Sequence, residues 1–443
     1  MAGHQLIVRL PWNFPPLSSA STTPAPRPHV SFAALRHPGF RPYLIFSAMA
    51  MMADSIEHVI SYWVVFQKFQ SPSLGGFAVL SHWLPYLFFS VYSGALADRF
   101  DPRRLIQIGM GCFITASLAW GYFFYTDTLE VWHAQVILVL HGCAGVLWSP
   151  ASQLLIHDIV GKEQLPSAVR LNATARYLGL LLGPGIGGGI LLLMGPVAGI
   201  AFNALIYLPL VIWLWKAPYG PKFRKGGERA HPALRGLRDI IDTARVVGGN
   251  PILLAMTLLI GCASFMVGNA YHAQMPEFAR DLGHGDVGFL YSMLLAADAA
   301  GALLAGIALE STGALQPRPR VAFGLAMVWC LALIGFAVTP YYPLALAALF
   351  VAGFVELSFS SMAMTLVQLN APDHVRGRVI GFYIISSLGM RAFAGATVGL
   401  GGTIVGIHWS LALSAAALLF IMAGLMAYLA RAARLRHLNN ASQ

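Results

Sequence analysis

From about residue 40 onward, apolar residues run in stretches of 18 or more, separated by short polar interruptions. A helix needs about that length to cross ~30 Å of hydrocarbon. The pattern predicts twelve such stretches, at roughly 40–66, 73–97, 104–125, 131–157, 169–194, 198–216, 251–275, 286–309, 320–339, 343–369, 379–403 and 408–430. A backbone in lipid must satisfy its own hydrogen bonds, and segments this long do so as helices. The expected fold is therefore an all-α membrane protein of twelve transmembrane helices. The longest polar connection, 217–250, is basic and rich in Gly and Pro. It divides the chain into a bundle of six helices over 39–216 and a second over 251–431. Residues 1–38, rich in Pro, Ser and Thr, are expected as a disordered cytoplasmic tail, and 432–443 as a second tail. A weak internal echo supports two pseudo-symmetric halves. Lys162–Val169 and Pro372–Val379 are both short polar turns that lead into a Gly-rich helix, six spans apart. Six spans, a loop and six spans is the plan of a two-bundle secondary transporter, with its site between the bundles near mid-membrane.

Composition narrows the classes further. The 443 residues are 57% hydrophobic and only 10% charged, against about 25% charged in soluble domains. Soluble enzymes and disordered scaffolds do not fit, and neither does a nucleic-acid partner, despite the net charge of +10. The basic residues sit between apolar stretches. Of 28 Lys and Arg, 24 fall at one set of ends and only Lys68 and Arg280 at the other, with Arg176 and Arg391 inside helices. That bias places both termini in the cytoplasm. Cys112, Cys143, Cys262 and Cys330 all lie in apolar stretches without metal-ligand spacing, so no disulfide, metal or cofactor is expected.

Two segments carry recognisable motifs. Between the second and third stretches the chain reads Gly94-Ala-Leu-Ala-Asp98-Arg99-Phe-Asp101-Pro102-Arg103-Arg104. This resembles motif A of the major facilitator superfamily, at the same connection. The resemblance implies a conformational clasp. Gly94 permits close helix approach, and Asp98 faces the positive N-terminus of the eleventh helix. The arginines would pair with an acid at the end of the fourth, here Asp158. The matching loop between the eighth and ninth spans keeps Gly306, Glu310, Arg318 and Arg320 only in degenerate order, so a second clasp is not expected. The fifth stretch holds Gly179, Gly183, Pro184, Gly187 and Gly188. No strand precedes it and no Lys-Ser/Thr follows, so it is no phosphate loop. It resembles motif C, which marks antiporters within the superfamily and so implies export. Ser71-Pro72, Met275-Pro276 through Gly288, and Thr365–Gln368 followed by Arg376–Val379 resemble the enterobactin-exporter-like branch of transmembrane secretion effectors.

Ionisable residues inside spans are functional candidates, because each costs at least ~2.5–3.5 kcal/mol at mid-bilayer. Asp54 and Glu57 stand at i and i+3, on one helix face. Two carboxylates so close in low dielectric do not both ionise cheaply, which suits a proton carrier. The structural alternative pairs Asp54 with Arg176. Arg391 calls for a counter-ion or an anionic ligand, and Glu356 and Asp298 lie in the same half. Helical rise puts Asp54 and Arg391 each about 18–20 Å from the cytoplasmic helix ends, near the midplane. Trp148 and Tyr383 either line an aromatic cavity or face lipid, and lipid packing is the commoner case. His141 reads as a packing donor. Together these features predict an exporter of small amphipathic metabolites or drugs. It would be driven by protons, embedded in the bacterial inner membrane and monomeric. Alternatives are a dedicated siderophore exporter, and a lipid flippase or importer on the same fold.

Overall fold

The computed structural model describes residues 30–69, 72–223, 237–268, 270–282, 287–313, 315–394, 398 and 401–441. Nearly all of them are helical. The helices are α1 Phe40–Phe69, α2 Pro72–Arg99, α3 Pro102–Thr126, α4 Val131–Ile206, α5 Leu208–Lys216, α6 Leu237–Gly249, α7 Pro251–Met266, α8 Ala270–Leu282, α9 Val287–Thr312, α10 Pro319–Val338, α11 Tyr342–Asn370, α12 Arg376–Ile384, α13 Arg391–Ala394, α14 Gly401–Val405 and α15 Ile407–Ala441. Among the described residues, nine stretches are long and apolar enough to cross a membrane. Leu192, Leu193, Ile404 and Phe420 stand more than three-quarters exposed, the outward apolar surface that lipid covers.

Several boundaries differ from the pattern-based expectation, each for a local reason. α4 breaks direction at Gly161 and Gly195, whose φ values are 69° and 72°. Glycine enters that region without a Cβ penalty, so no loop is needed. Lys162–Val169, expected as a polar turn, is helical. The expected span 251–275 divides into α7 and α8 around Gly268, another positive-φ glycine. The expected span 379–403 is interrupted by a π turn at Ile385–Gly389. There Gly389 lies so close to Leu87 of α2 that a Cβ would collide with its backbone. Order also extends into both expected tails. Ala33–Arg36 forms a 3-10 turn with Ala34 buried, and α15 runs through Ala441. Residues 1–29 lie outside the described residues.

Buried apolar side chains gather in two cores. One draws on residues between Ala34 and Leu214, the other on residues between Val247 and Met422. The cores meet where α2 packs along α12 and the π turn, and where α4 packs on α9 and α11. Glycines make the first contact close. A Cβ at Gly94 would strike the carbonyl of Gly377, and one at Gly381 the carbonyl of Ser90.

Candidate functional site

A cavity of about 550 Å³ lies between the two cores. Its wall carries Asp54, Trp148 and Arg176 from the first half, and Glu356, Tyr383 and Arg391 from the second. Trp148 and Tyr383 are thus cavity residues rather than lipid-facing ones. Glu57 and Asp298 sit behind the wall, 2% and 4% exposed.

In the first half, His141 of α4 inserts between the two acids of α1. Its Nε2 lies 2.7 Å from Asp54 Oδ1 and its Nδ1 2.8 Å from Glu57 Oε1. A neutral imidazole donates from only one nitrogen, and a carboxylate only accepts. Two hydrogen bonds therefore require one proton more than a neutral histidine and two carboxylates hold. The Ser117 hydroxyl donates to Glu57 Oε2, and Asn203 Nδ2 donates to Ser117 at 3.4 Å. His58 Nδ1 donates to the Asp54 carbonyl at 2.7 Å, which leaves the Nε2 lone pair free. The glycines of the fifth stretch hold this arrangement in place. Gly179, Gly183 and Gly187, spaced by four, face Met51–Val59 of α1. A Cβ on Gly183 would collide with Ser55, and one on Gly187 would lie 3.2 Å from Ile56 Cα. Gly188 faces open space. Close helix approach of this kind is what small residues permit in a membrane.

The second half is arranged differently. Arg391 follows the π turn and lies 5.6 Å over the Trp83 ring of α2. Its Nε is buried and has no hydrogen-bond partner among the described residues. Across the cavity, in the first half, Arg176 lies 5.7 Å over Tyr177. Asp298 Oδ2 is 3.3 Å from His272 Nε2, and its Oδ1 has no partner among the described residues. Within those residues, no ion pair joins Arg391 to Glu356 or Arg176 to Asp54.

At the end of α2, Asp98 accepts hydrogen bonds from the backbone N–H of Gly377 (2.6 Å) and Arg378 (2.9 Å), in the first turn of α12. These are donors a helix N-terminus leaves unsatisfied. Arg378 also pairs with Asp239 of α6 at 2.8 Å, tying the central linker to the same point. The arginines of the motif bond within the motif and to the end of α5. Arg103 pairs with Asp101 at 2.5 Å and donates to the Ala217 carbonyl. Arg104 bonds Gln107 at 3.0 Å and covers Trp215, while Arg99 covers Phe100. Asp158 is half-buried near the Gly161 break. The second loop carries its own cross-link between α9 and α4. Glu310 is fully buried, bonded by Arg170 at 2.7 Å and by the Ser167 hydroxyl.

The grouping of His58, His82 and His141 was also not expected. Their ring centroids lie 4.7–5.8 Å apart, and they come from three separate helices.

The sequence matches the transmembrane secretion effector family over residues 29–443. It is 25% identical over 317 residues to the enterobactin exporter EntS of Shigella boydii, covering 69% of this chain and 71% of that one. It is 24% identical over 374 residues to the multidrug efflux pump Tap of Mycolicibacterium fortuitum, covering 81% and 86%. In structure it resembles the human organic anion transporter MFSD10, with TM-score 0.69 at 13% identity, covering 88% of this chain and 99% of that one. The chain belongs to the transmembrane secretion effector family of the major facilitator superfamily, and is an integral membrane transporter rather than an enzyme.

Proposed function

We propose that this transporter is a proton-coupled antiporter of the bacterial inner membrane that exports small amphipathic metabolites or drugs. It works as a monomer by alternating access between two six-helix bundles, twelve spans in all, with both termini cytoplasmic. The observation that carries this reading is the cavity shared by both cores, with a hydrogen-bond network at its wall that needs an added proton. Asp54 and Glu57 hold the coupling proton, with His141 between them. Arg391, Glu356, Arg176, Trp148 and Tyr383 contact the cargo, and Asp298 supports them from behind. The Asp98–α12 clasp, with Gly94, Asp101 and the nearby arginines, closes the cytoplasmic side in the outward-facing state. The glycine stripe along Gly179, Gly183 and Gly187 keeps the α1 acids in register. Relatives named as an exporter and an efflux pump support the outward direction.

The test is proton movement in reconstituted vesicles on adding cationic dyes, lipophilic drugs, or catecholate and hydroxamate siderophores. A ligand-dependent proton signal that disappears in Asp54→Asn supports antiport. Saturable ligand binding with no proton signal overturns it and points to a uniporter or flippase. The unpartnered Arg391 Nε favours a second reading, dedicated export of an acidic siderophore. In that case catecholates give the signal and cationic dyes do not.

A further inference from the structure

We infer that His58, His82 and His141, with Asp54 as fourth ligand, form a binding site for a divalent first-row transition-metal ion such as Zn²⁺ or Co²⁺. One ligand atom from each histidine lies within 4.8 Å of the others. A tetrahedral ion about 2.0–2.1 Å from each nitrogen would draw them in by rotation of the rings. The outer contacts of such a site are already in place. Metal-bound histidines usually donate their other N–H to a carbonyl or carboxylate. His58 Nδ1 does so to the Asp54 carbonyl and His141 Nδ1 to Glu57. His82 contributes a buried Nδ1 with no hydrogen-bond partner among the described residues, a cost that a coordinated ion removes. Asp54, His58 and His82 border the cavity, so an ion has a path in. Imidazole with one carboxylate suits zinc, cobalt, nickel or copper rather than magnesium or calcium.

The ion would stand between Asp54 Oδ1 and His141 Nε2, now 2.7 Å apart and hydrogen-bonded. It is therefore an alternative occupant to the proton there. The inference rests on ring geometry and is independent of export, because its test measures binding and not transport. The detergent-purified full chain is titrated with Co²⁺ in the absence of any transported compound, and the d–d absorption is followed. The expected result is one ion per chain in a four-coordinate site. His58→Ala and His82→Ala should each weaken binding at least ~10-fold, and the double variant should abolish it. His374→Ala, on an exposed turn, should change nothing. If an alanine variant fails to run as a single species, His82→Gln and His58→Asn replace it. No saturable cobalt signal, or a double variant that binds like the wild type, overturns the proposal.

Discussion

The two walls of the cavity hold similar residue types in opposite condition. On the first-half wall the network around His141 is closed, although His82 Nδ1 and Trp148 Nε1 are buried with no partner among the described residues. Both oxygens of Glu57 and both nitrogens of His141 are engaged, and Ser117 and Asn203 extend the network inward. On the second-half wall, Arg391 Nε and Asp298 Oδ1 are buried with no partner among the described residues. A buried charged group left unpaired costs more than the ~1–3 kcal/mol of a neutral one. A saturated network gives a proton a defined address. Open valences are satisfied when a ligand arrives. This contrast underlies the proposed division, in which the His141 network couples the proton and Arg391 of the second half meets a charged group of the cargo.

The largest expected effect comes from breaking the saturated side. Asp54→Asn removes the carboxylate that, with Glu57, requires the added proton. Ligand-driven proton movement in vesicles should fall to the level of empty vesicles, while the protein still folds, since the amide keeps the shape. A proton signal that survives would move coupling to the second half and dissolve the contrast. Glu57→Leu should act on stability instead. It strands His141 and Ser117 in the core, and losing one partner of a buried charge pair costs about 3–5 kcal/mol. Thermal unfolding of the purified protein should show a clear drop for Glu57→Leu and a smaller one for Glu57→Gln.

The open side should respond in the reverse sense. Arg391→Ala removes a charge with no ion-pair partner among the described residues, so the unfolding temperature should stay level or rise. Transport should suffer through affinity. Losing a charged hydrogen bond of about 1.5–3 kcal/mol raises the half-saturation concentration roughly 10- to 100-fold. Arg391→Lys should recover only part of this, because lysine lacks the fork geometry. A large loss of stability in Arg391→Ala would mean that the arginine is structural after all.

How much of this was legible in the chain differs in the same way. Apolar run lengths predict long apolar helices, because lipid thickness imposes them, although nine rather than twelve such stretches stand among the described residues. They fail at Gly161, Gly195 and Gly268, where a positive φ replaces a loop, and at Ile385–Gly389, where close approach to Leu87 opens a π turn. Motif spacing located Asp98, since its partners are backbone donors that any helix start supplies. It also named Glu310, but not its partners Ser167 and Arg170, which come from α4. The histidine cluster had a faint signal. His58 stands 18 residues from Phe40, His82 17 from Arg99 and His141 20 from Gly161. Counted from these positions, all three lie at a similar depth. Depth is readable in sequence, but which helices are neighbours is not.

A smaller effect is expected at the clasp. Asp98→Asn keeps the shape but replaces one accepting oxygen with a donor and loses the charge facing the α12 N-terminus. A helix cap and its dipole contribute about 0.5–2 kcal/mol. The loss should appear as faster backbone hydrogen exchange over 94–104 and 376–380, with binding at the cavity intact.

The smallest effect belongs to an exposed charge pair at the helix ends. Lys68 lies 2.6 Å from Asp127 in the turn between α3 and α4, where Asp127 is largely exposed. The hydrogen bond and charge of Lys68 hold the Asp127 carboxyl below its ordinary value of 3.8. A lowered carboxyl pKa stabilises the folded state above that ordinary value, and the contribution fades as pH falls through the folded one. Water screens the pair, so Lys68→Met should leave the unfolding temperature at neutral pH unchanged. Its trace is a return of the Asp127 titration toward 3.8. Equal sensitivity at this exposed pair and at Glu57 would show that burial does not separate the charges that matter from those that do not. The division between the two cavity walls would then lose its physical basis.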